Sequence, residues 1–547
     1  MQYSVGDSLH RTRVFRTEIA PYIFFMRRLS LSAALAFVAC GSAFDVAPDS
    51  GDSLQGSAAV QSLHQAIEVV PVPFTTLDCA AVLGTTVLRE ISQLEAIDAS
   101  GCDSFSGDVQ VAFTVPLVPS AQRPLFDVKN VKSVGGKITQ TFTTQTVKFA
   151  GLEYAARIEM KPTDICAYNA LQRAGTLQLE MKQTCLFPAL QQADDIQIKG
   201  AESVSGFNSL RTVGSLAIYG LGSALSITGF RALEQAPGIV ISGEHSFLDP
   251  KVTGSLAALT TVGGMTFTRV DVSGFKLPKL TSVTGALTMS GCASPGSPFT
   301  ALSSILGAWT VSPGKYIRNE LTGPAALTSL HSLNVKFELP GTISGFSKLQ
   351  TVTSSLSIVG ADRVQVSGFD ALTTASSIRL TAGWDLFVDG FGRLKSMDGS
   401  LMVRAQRTNI YAGEFQAFRA LAEVKGSFDA VLDEHSNDIF PALKTVGGSF
   451  GYRELDRLGR SEVFGKLVTV GGALTTQNCD GFKTLKSVGG SLRIIEVLAS
   501  IRGRRIDGFR KVTQVGGDLI FDKRTEPRDM QAILDNLVGF TGTVRLE

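Results

Sequence analysis

Apolar positions return along this chain in one repeated phrase: Gly-Phe, two residues, Leu, two residues, Val-Gly-Gly, one residue, Leu, one residue, Ile. It is complete at residues 481–494, which read Gly-Phe-Lys-Thr-Leu-Lys-Ser-Val-Gly-Gly-Ser-Leu-Arg-Ile. Further copies start at Gly206-Phe207, Gly345-Phe346, Gly390-Phe391 and Gly508-Phe509. In all five the Val position (Val213, Val352, Met397, Val488, Val515) follows its Phe by six residues. Gly-Phe pairs also stand at Gly229-Phe230 and Gly368-Phe369, so the basic step is 22 or 23 residues. A fixed period in this range marks a solenoid, in which each turn leaves an apolar face that only the next turn can cover.

The local pattern says which kind of solenoid. Leu216-x-Ile218 and Leu492-x-Ile494 alternate apolar and polar, so both apolar side chains leave one face of a short strand. Val, Thr and Ile suit strands, and long helix-forming runs are scarce. The Gly-Gly pair supplies a backbone with positive φ, or a tight bend, where the coil turns. The Phe of Gly-Phe, at a fixed offset, reads as an interior rung; Phe207, Phe346, Phe391, Phe482 and Phe509 are expected to point inward and to stack from turn to turn. The predicted fold is all-β: a right-handed parallel β-solenoid, in one or two blocks, with a small C-terminal helical cap.

The phrase divides the chain. Residues 44–75, rich in Asp, Ser, Gly, Ala and Pro, read as a linker or N-terminal cap. A first block runs over 76–292, with degenerate early copies at Val109, Val111 and Phe113 and at Val131, Val134 and Ile138. Residues 293–330, with Ser-Pro-Gly-Ser-Pro at 294–298, read as an insertion or boundary. A second block covers 331–526, disturbed over 405–441. Ile533, Leu534, Leu537 and Phe540 carry helical spacing and place the cap within 527–547.

Composition narrows the function classes. Gly is 55 of 547 residues, and much of it sits in the phrase, so it reports turn geometry. Charged residues are 18% and the net charge is +2, which suggests neither a nucleic-acid tract nor an acidic partner. Met26-Arg27-Arg28, the apolar stretch 29–39 and the small residues Gly41-Ser42-Ala43 have the order of an export signal spanning 26–43. Residues 1–25 then read as an upstream extension, with Met26 an alternative start. The expected location is secreted or at the cell surface, with lipid attachment through Cys40 as the rival. No later segment holds the ~18 consecutive apolar residues of a spanning helix.

Cysteine spacing adds two candidate bridges. Cys79 and Cys102 lie 23 residues apart, one repeat, and Cys166 and Cys185 lie 19 apart, so stacked turns would set each pair side by side. Cys292 and Cys479 lack such a neighbour and read as buried small apolar residues. With five histidines and no Cys-x-x-Cys, a zinc site is not expected. Asp194-Asp195 lacks the remainder of a calcium loop. No cofactor motif is present.

The repeats resemble those of receptor L-domains, as in insulin-receptor and epidermal-growth-factor-receptor ectodomains, and more closely those of fungal cell-wall sporulation-type surface proteins. The matching positions are Val213, Gly214, Leu216 and Ile218; Val488, Gly489, Leu492 and Ile494; and Val515, Gly516 and Leu519. The resemblance spans about 200–520. It implies a surface solenoid for ligand recognition, adhesion or envelope structure, with a protein or glycan partner. It carries no catalytic residues to transfer. No kinase domain, membrane span or cysteine-rich module follows the repeats, so receptor signalling is not implied.

Chemistry-bearing clusters are few. Asp433-Glu434-His435 is the densest titratable group containing a His, and its default reading is a solvated loop. Trp309 and Tyr316, and the basic run Arg502, Arg504 and Arg505, are the candidate ligand contacts, the last suited to an anionic glycan or headgroup. Trp309 has a second reading, as a plug for the break in the core. The competing function is a carbohydrate-active β-helix enzyme, a lyase or hydrolase. It would need charged residues aligned on one face across turns, and the outward positions read instead as Ser, Thr, Arg and Lys in mixed order. A leucine-rich-repeat horseshoe is disfavoured because its Asn or Cys position is missing.

Overall fold

The computed structural model describes residues 77–112, 125–140, 146–160, 168–180, 186–243, 249–292, 298–314, 319–407, 417–432, 440–454, 464–477, 479, 481–495, 508–537, 540 and 542–547. These form an all-β parallel solenoid of about 17 turns. Among them are three short helices: α1 (Cys79–Leu83), α2 (Ile91–Ser100) and α3 (Pro527–Asn536). One main parallel sheet of 26 described strands carries the Leu-x-Ile segments of the repeat. Shorter parallel sheets flank it, one of them built from the Val positions of the last turns.

Register explains why the phrase needs its residues. The first apolar position of each main strand stacks on that of the next: Leu216 on Ile239, Met265, Leu287, Trp309, Leu333, Leu356, Ile378 and Leu401. The second forms a parallel ladder, Ile218, Ile241, Phe267, Met289, Val311, Val335, Ile358, Leu380 and Val403. Between strands, the Phe-x-x-Leu segment closes a turn in which the Leu amide donates to the Phe carbonyl, as from Leu349 to Phe346 and from Leu372 to Phe369, both 3.0 Å. Phe207, Phe346, Phe391, Phe482 and Phe509 are all fully buried. They belong to stacked columns: Tyr168, Phe187, Phe207 and Phe230 with centroids 5.0–5.4 Å apart, and Phe346, Phe369, Phe391 and Phe418 at 4.8–5.1 Å.

The two kinds of glycine in the phrase do different jobs. Gly390, ahead of Phe391, has φ +117°, a conformation that a side chain resists. The Val-Gly-Gly glycine Gly489 has no positive φ. Its place is set by close approach, since a Cβ there would sit 2.0 Å from the carbonyl oxygen of Gly471 one turn below. Of the two expectations for Gly-Gly, positive φ is thereby corrected, whereas the tight bend is found at Gly489-Gly490, and the pair also lets successive turns touch backbone to backbone. Gly489→Ala should cost about 1–3 kcal/mol, the usual penalty of overpacking, read as a lower denaturation midpoint.

The solenoid runs through both segments that the sequence sets apart. In 293–330, Ser304–Pro313 is a full strand of the main sheet, paired with Leu287–Cys292 on one side and Ser329–Phe337 on the other. In 405–441, Glu423–Val424 and Phe428–Leu432 hold their places in the ladders. Both segments therefore contain repeat turns and are not insertions as a whole. At the N-terminal end a disulfide joins Cys79 to Cys102, Cα atoms 5.2 Å apart, and ties α1 beside the end of α2. At the other end α3 buries Ile533, as the helical spacing predicts.

Candidate functional site

The described residues settle the position of some sequence candidates. Trp309 is 1% exposed and is not a ligand contact. It occupies the Leu position of the ladder between Leu287 and Leu333. The next turn has Pro324 where others have Phe, so the aromatic column lacks a ring. Trp309 spans that gap, meeting Phe299 at 6.4 Å and Phe346 at 5.8 Å. The reading of Trp309 as a plug therefore holds. Tyr316, Arg502, Arg504, Arg505, Asp433, Glu434, His435, Cys166 and Cys185 lie outside the described residues. Cys292 and Cys479 are buried, and burial pushes the Cys292 thiol up to about 12. Asp195 accepts a hydrogen bond from the Ser215 hydroxyl one turn on and so serves the stack.

With the inside spoken for, surface chemistry must come from the outward rows, and register shows these to be zoned. Along the main sheet the middle outward row reads Ala217, Val240, Thr266, Thr288, Thr310, Asn334 and Ser357, all uncharged. Later it reads Arg379, Met402, Asp429, Gly451, Thr475 and Arg493. Gly451 interrupts this row and opens a depression of about 560 Å³, bordered by Arg404, Asp429, Arg453 and Thr475. Arg404 and Asp429 form an ion pair across its side. Aromatic packing supports its floor, with Phe428 stacked on Phe450 at 4.8 Å. Nothing in the packing forces a glycine here: a Cβ at Gly451 would meet the Asp429 carboxylate, Oδ1 at 3.4 Å, and the Phe428 carbonyl oxygen at 3.9 Å, both ordinary contacts. Gly451→Ala should leave stability unchanged or raise it by up to ~1 kcal/mol, in contrast to Gly489→Ala, in the same denaturation assay.

The second feature lies on the segments that run from each Phe to its Val. In six turns, from Leu256 to Ala375, these segments carry only Lys279, Lys348 and Asp370 as charges. In the next six, from Phe391 to Val515, they carry Arg393, Lys395, Arg419, Lys444, Lys466 and Lys486. Lys483, Arg510 and Lys511 add to these, against one carboxylate, Glu423. All nine cations are exposed. Just beyond, Lys425 pairs with Asp398 at 2.7 Å, which raises the Lys425 pKa. Arg393, Lys395, Lys444, Lys466, Lys486 and Lys511 make no ion pair with any described residue. A charge alignment that linear reading scatters is thus assembled by the register.

Compared with known proteins, the chain matches no protein-family model and no curated protein. Among the described residues no group of three His, Cys, Asp or Glu is placed to hold a metal ion, and no helix is long and apolar enough to cross a membrane.

Proposed function

We propose that this protein is an exported, non-catalytic repeat scaffold of the receptor L-domain type, which recognises a ligand at the cell surface through the outward rows of its solenoid. The observation that carries this reading is the contrast between inside and outside. The interior repeats apolar rungs from turn to turn, whereas the exposed Phe-to-Val segments change from sparsely charged over Leu256–Ala375 to strongly basic over Phe391–Val515. Solenoids offer extended surfaces of this kind for binding. The Cys79–Cys102 disulfide suits an oxidising compartment and agrees with an export signal at 26–43.

The test is a screen of the full chain against glycan and protein ligand panels. At least one ligand should be retained, and substitutions in the outward rows should weaken it without changing the melting temperature. Shortening of a polysaccharide, abolished by changing Asp433, Glu434 or His435, would replace this reading with the enzyme.

A further inference from the structure

We propose that the basic face of the turns between Phe391 and Val515 is a binding track for a linear acidic polysaccharide. The proposal rests on the recognition reading and names the ligand class for it. The residue after each Leu sets the spacing. The Ala422 amide donates to the Lys395 carbonyl, Lys444 to Ala422, Val468 to Lys444 and Lys486 to Val468, each at 2.8 Å. Lys395, Lys444 and Lys486 therefore stand in one line on alternate rungs. Adjacent strands lie about 4.8 Å apart, so these lysine positions repeat at about 9.6 Å and together span about 19 Å. Arg393, Lys466 and Lys511 run beside them, two positions after their Phe.

A polymer matched to this track is extended and carries well-separated negative charges. A glycan with one carboxylate or sulfate on every second sugar ring has that form. Duplex DNA has a far denser charge, about one per 1.7 Å of axis. Single strands are held by stacking on aromatic side chains. A membrane surface is held by an inserted apolar face as well as by charge. Among the described residues, none of the exposed large apolar or aromatic side chains lies between 391 and 515. The track is also sided along the stack. The same positions in the preceding turns hold Thr281, Ser303, Thr328, Gln350 and Thr373, so the ligand should engage the later half of the solenoid.

The experiment titrates the full chain with a linear glycan bearing a carboxylate on every second ring and with one bearing a sulfate there, alongside a neutral glucan, duplex DNA and phosphatidylserine vesicles. The triple variant K395Q/K444Q/K486Q should bind the acidic glycan about tenfold more weakly, three exposed contacts being lost. K279Q/K348Q, at equivalent outward segments of the neutral turns, should bind as the parent does. Affinity should fall steeply with salt, as the screening length shrinks from ~10 Å at 0.1 M to ~3 Å at 1 M. Equal melting temperatures exclude misfolding as the cause. The two glycan arms show whether carboxylate or sulfate is preferred, and either preference supports the track. Unchanged affinity in the triple variant overturns it. DNA or vesicles bound as tightly, with the same dependence on the three lysines, overturn the polysaccharide assignment. A neutral glycan or protein ligand that survives the triple substitution keeps the recognition reading and removes this site. Cleavage of the bound polymer removes the non-catalytic reading and keeps the track.

Discussion

Phe482→Ala should destabilise the last turns by about 3–5 kcal/mol. The ring is fully buried between Phe464 at 5.8 Å and Phe509 at 5.4 Å, with Phe450 edge-on at 5.8 Å. Relaxation cannot refill the space, because backbone hydrogen bonds on both sides fix the turn spacing, as from Lys486 to Val468 and from Thr513 to Lys486. Phe482→Leu should cost less than the alanine change, since a smaller cavity is left, and the chain itself places Leu here at Leu256 and Leu277. Phe391 is a poorer test. Its own φ of +58° stores backbone strain that a substitution would also alter. Hydrogen exchange is the suitable readout, since a repeat array need not unfold as one unit. Exchange over 464–515 should accelerate in the Ala variant. Unchanged protection there would refute the stacked column.

Removing the Cys79–Cys102 bridge by a double substitution to alanine should cost about 3 kcal/mol, from the loop of 23 residues that it closes in the unfolded chain. The effect should be local. The bridge holds α1 and α2 over the first rungs, where Leu94 and Ile97 are buried and Val87–Leu88 pairs with Val109–Val111. Loss of this cap exposes the strand edge and the apolar end of the stack. The variant should therefore show early exchange over 77–112 and a greater tendency to associate. A melting curve identical to the parent's would show that the cap stands without its bridge.

Much of the fold is legible in the sequence because the repeat is dictated by packing. The six-residue offset from Phe to Val survives even where the named residues do not: Tyr168 precedes Ala174, Leu256 precedes Val262 and Pro324 precedes Leu330 by the same six. These replacements are why 293–330 reads as a break. The offset was kept while the letters changed, and only spatial register shows that Phe299, Leu302 and Ile305 form an ordinary turn. Trp309 misleads for a related reason, since an aromatic in an irregular stretch looks like a contact residue until the missing ring at Pro324 is seen. The glycines mislead because sequence does not distinguish a positive φ at Gly390 from a close approach at Gly489. The surface was the least legible part. Lys395, Lys444 and Lys486 are separated by 49 and 42 residues, spacings with no regular period, because turn lengths vary. Their alignment exists only once an intervening turn has been stacked between each pair.

Recognition without turnover, as proposed, takes place on the outside of a repeated apolar stack. The most direct measurement is the chain length of an acidic polysaccharide held by the full protein, followed by light scattering over prolonged incubation. The expected result is a stable complex with polymer of undiminished length, released by high salt. Progressive shortening of the polymer, lost when Asp433, Glu434 or His435 is substituted, would contradict it.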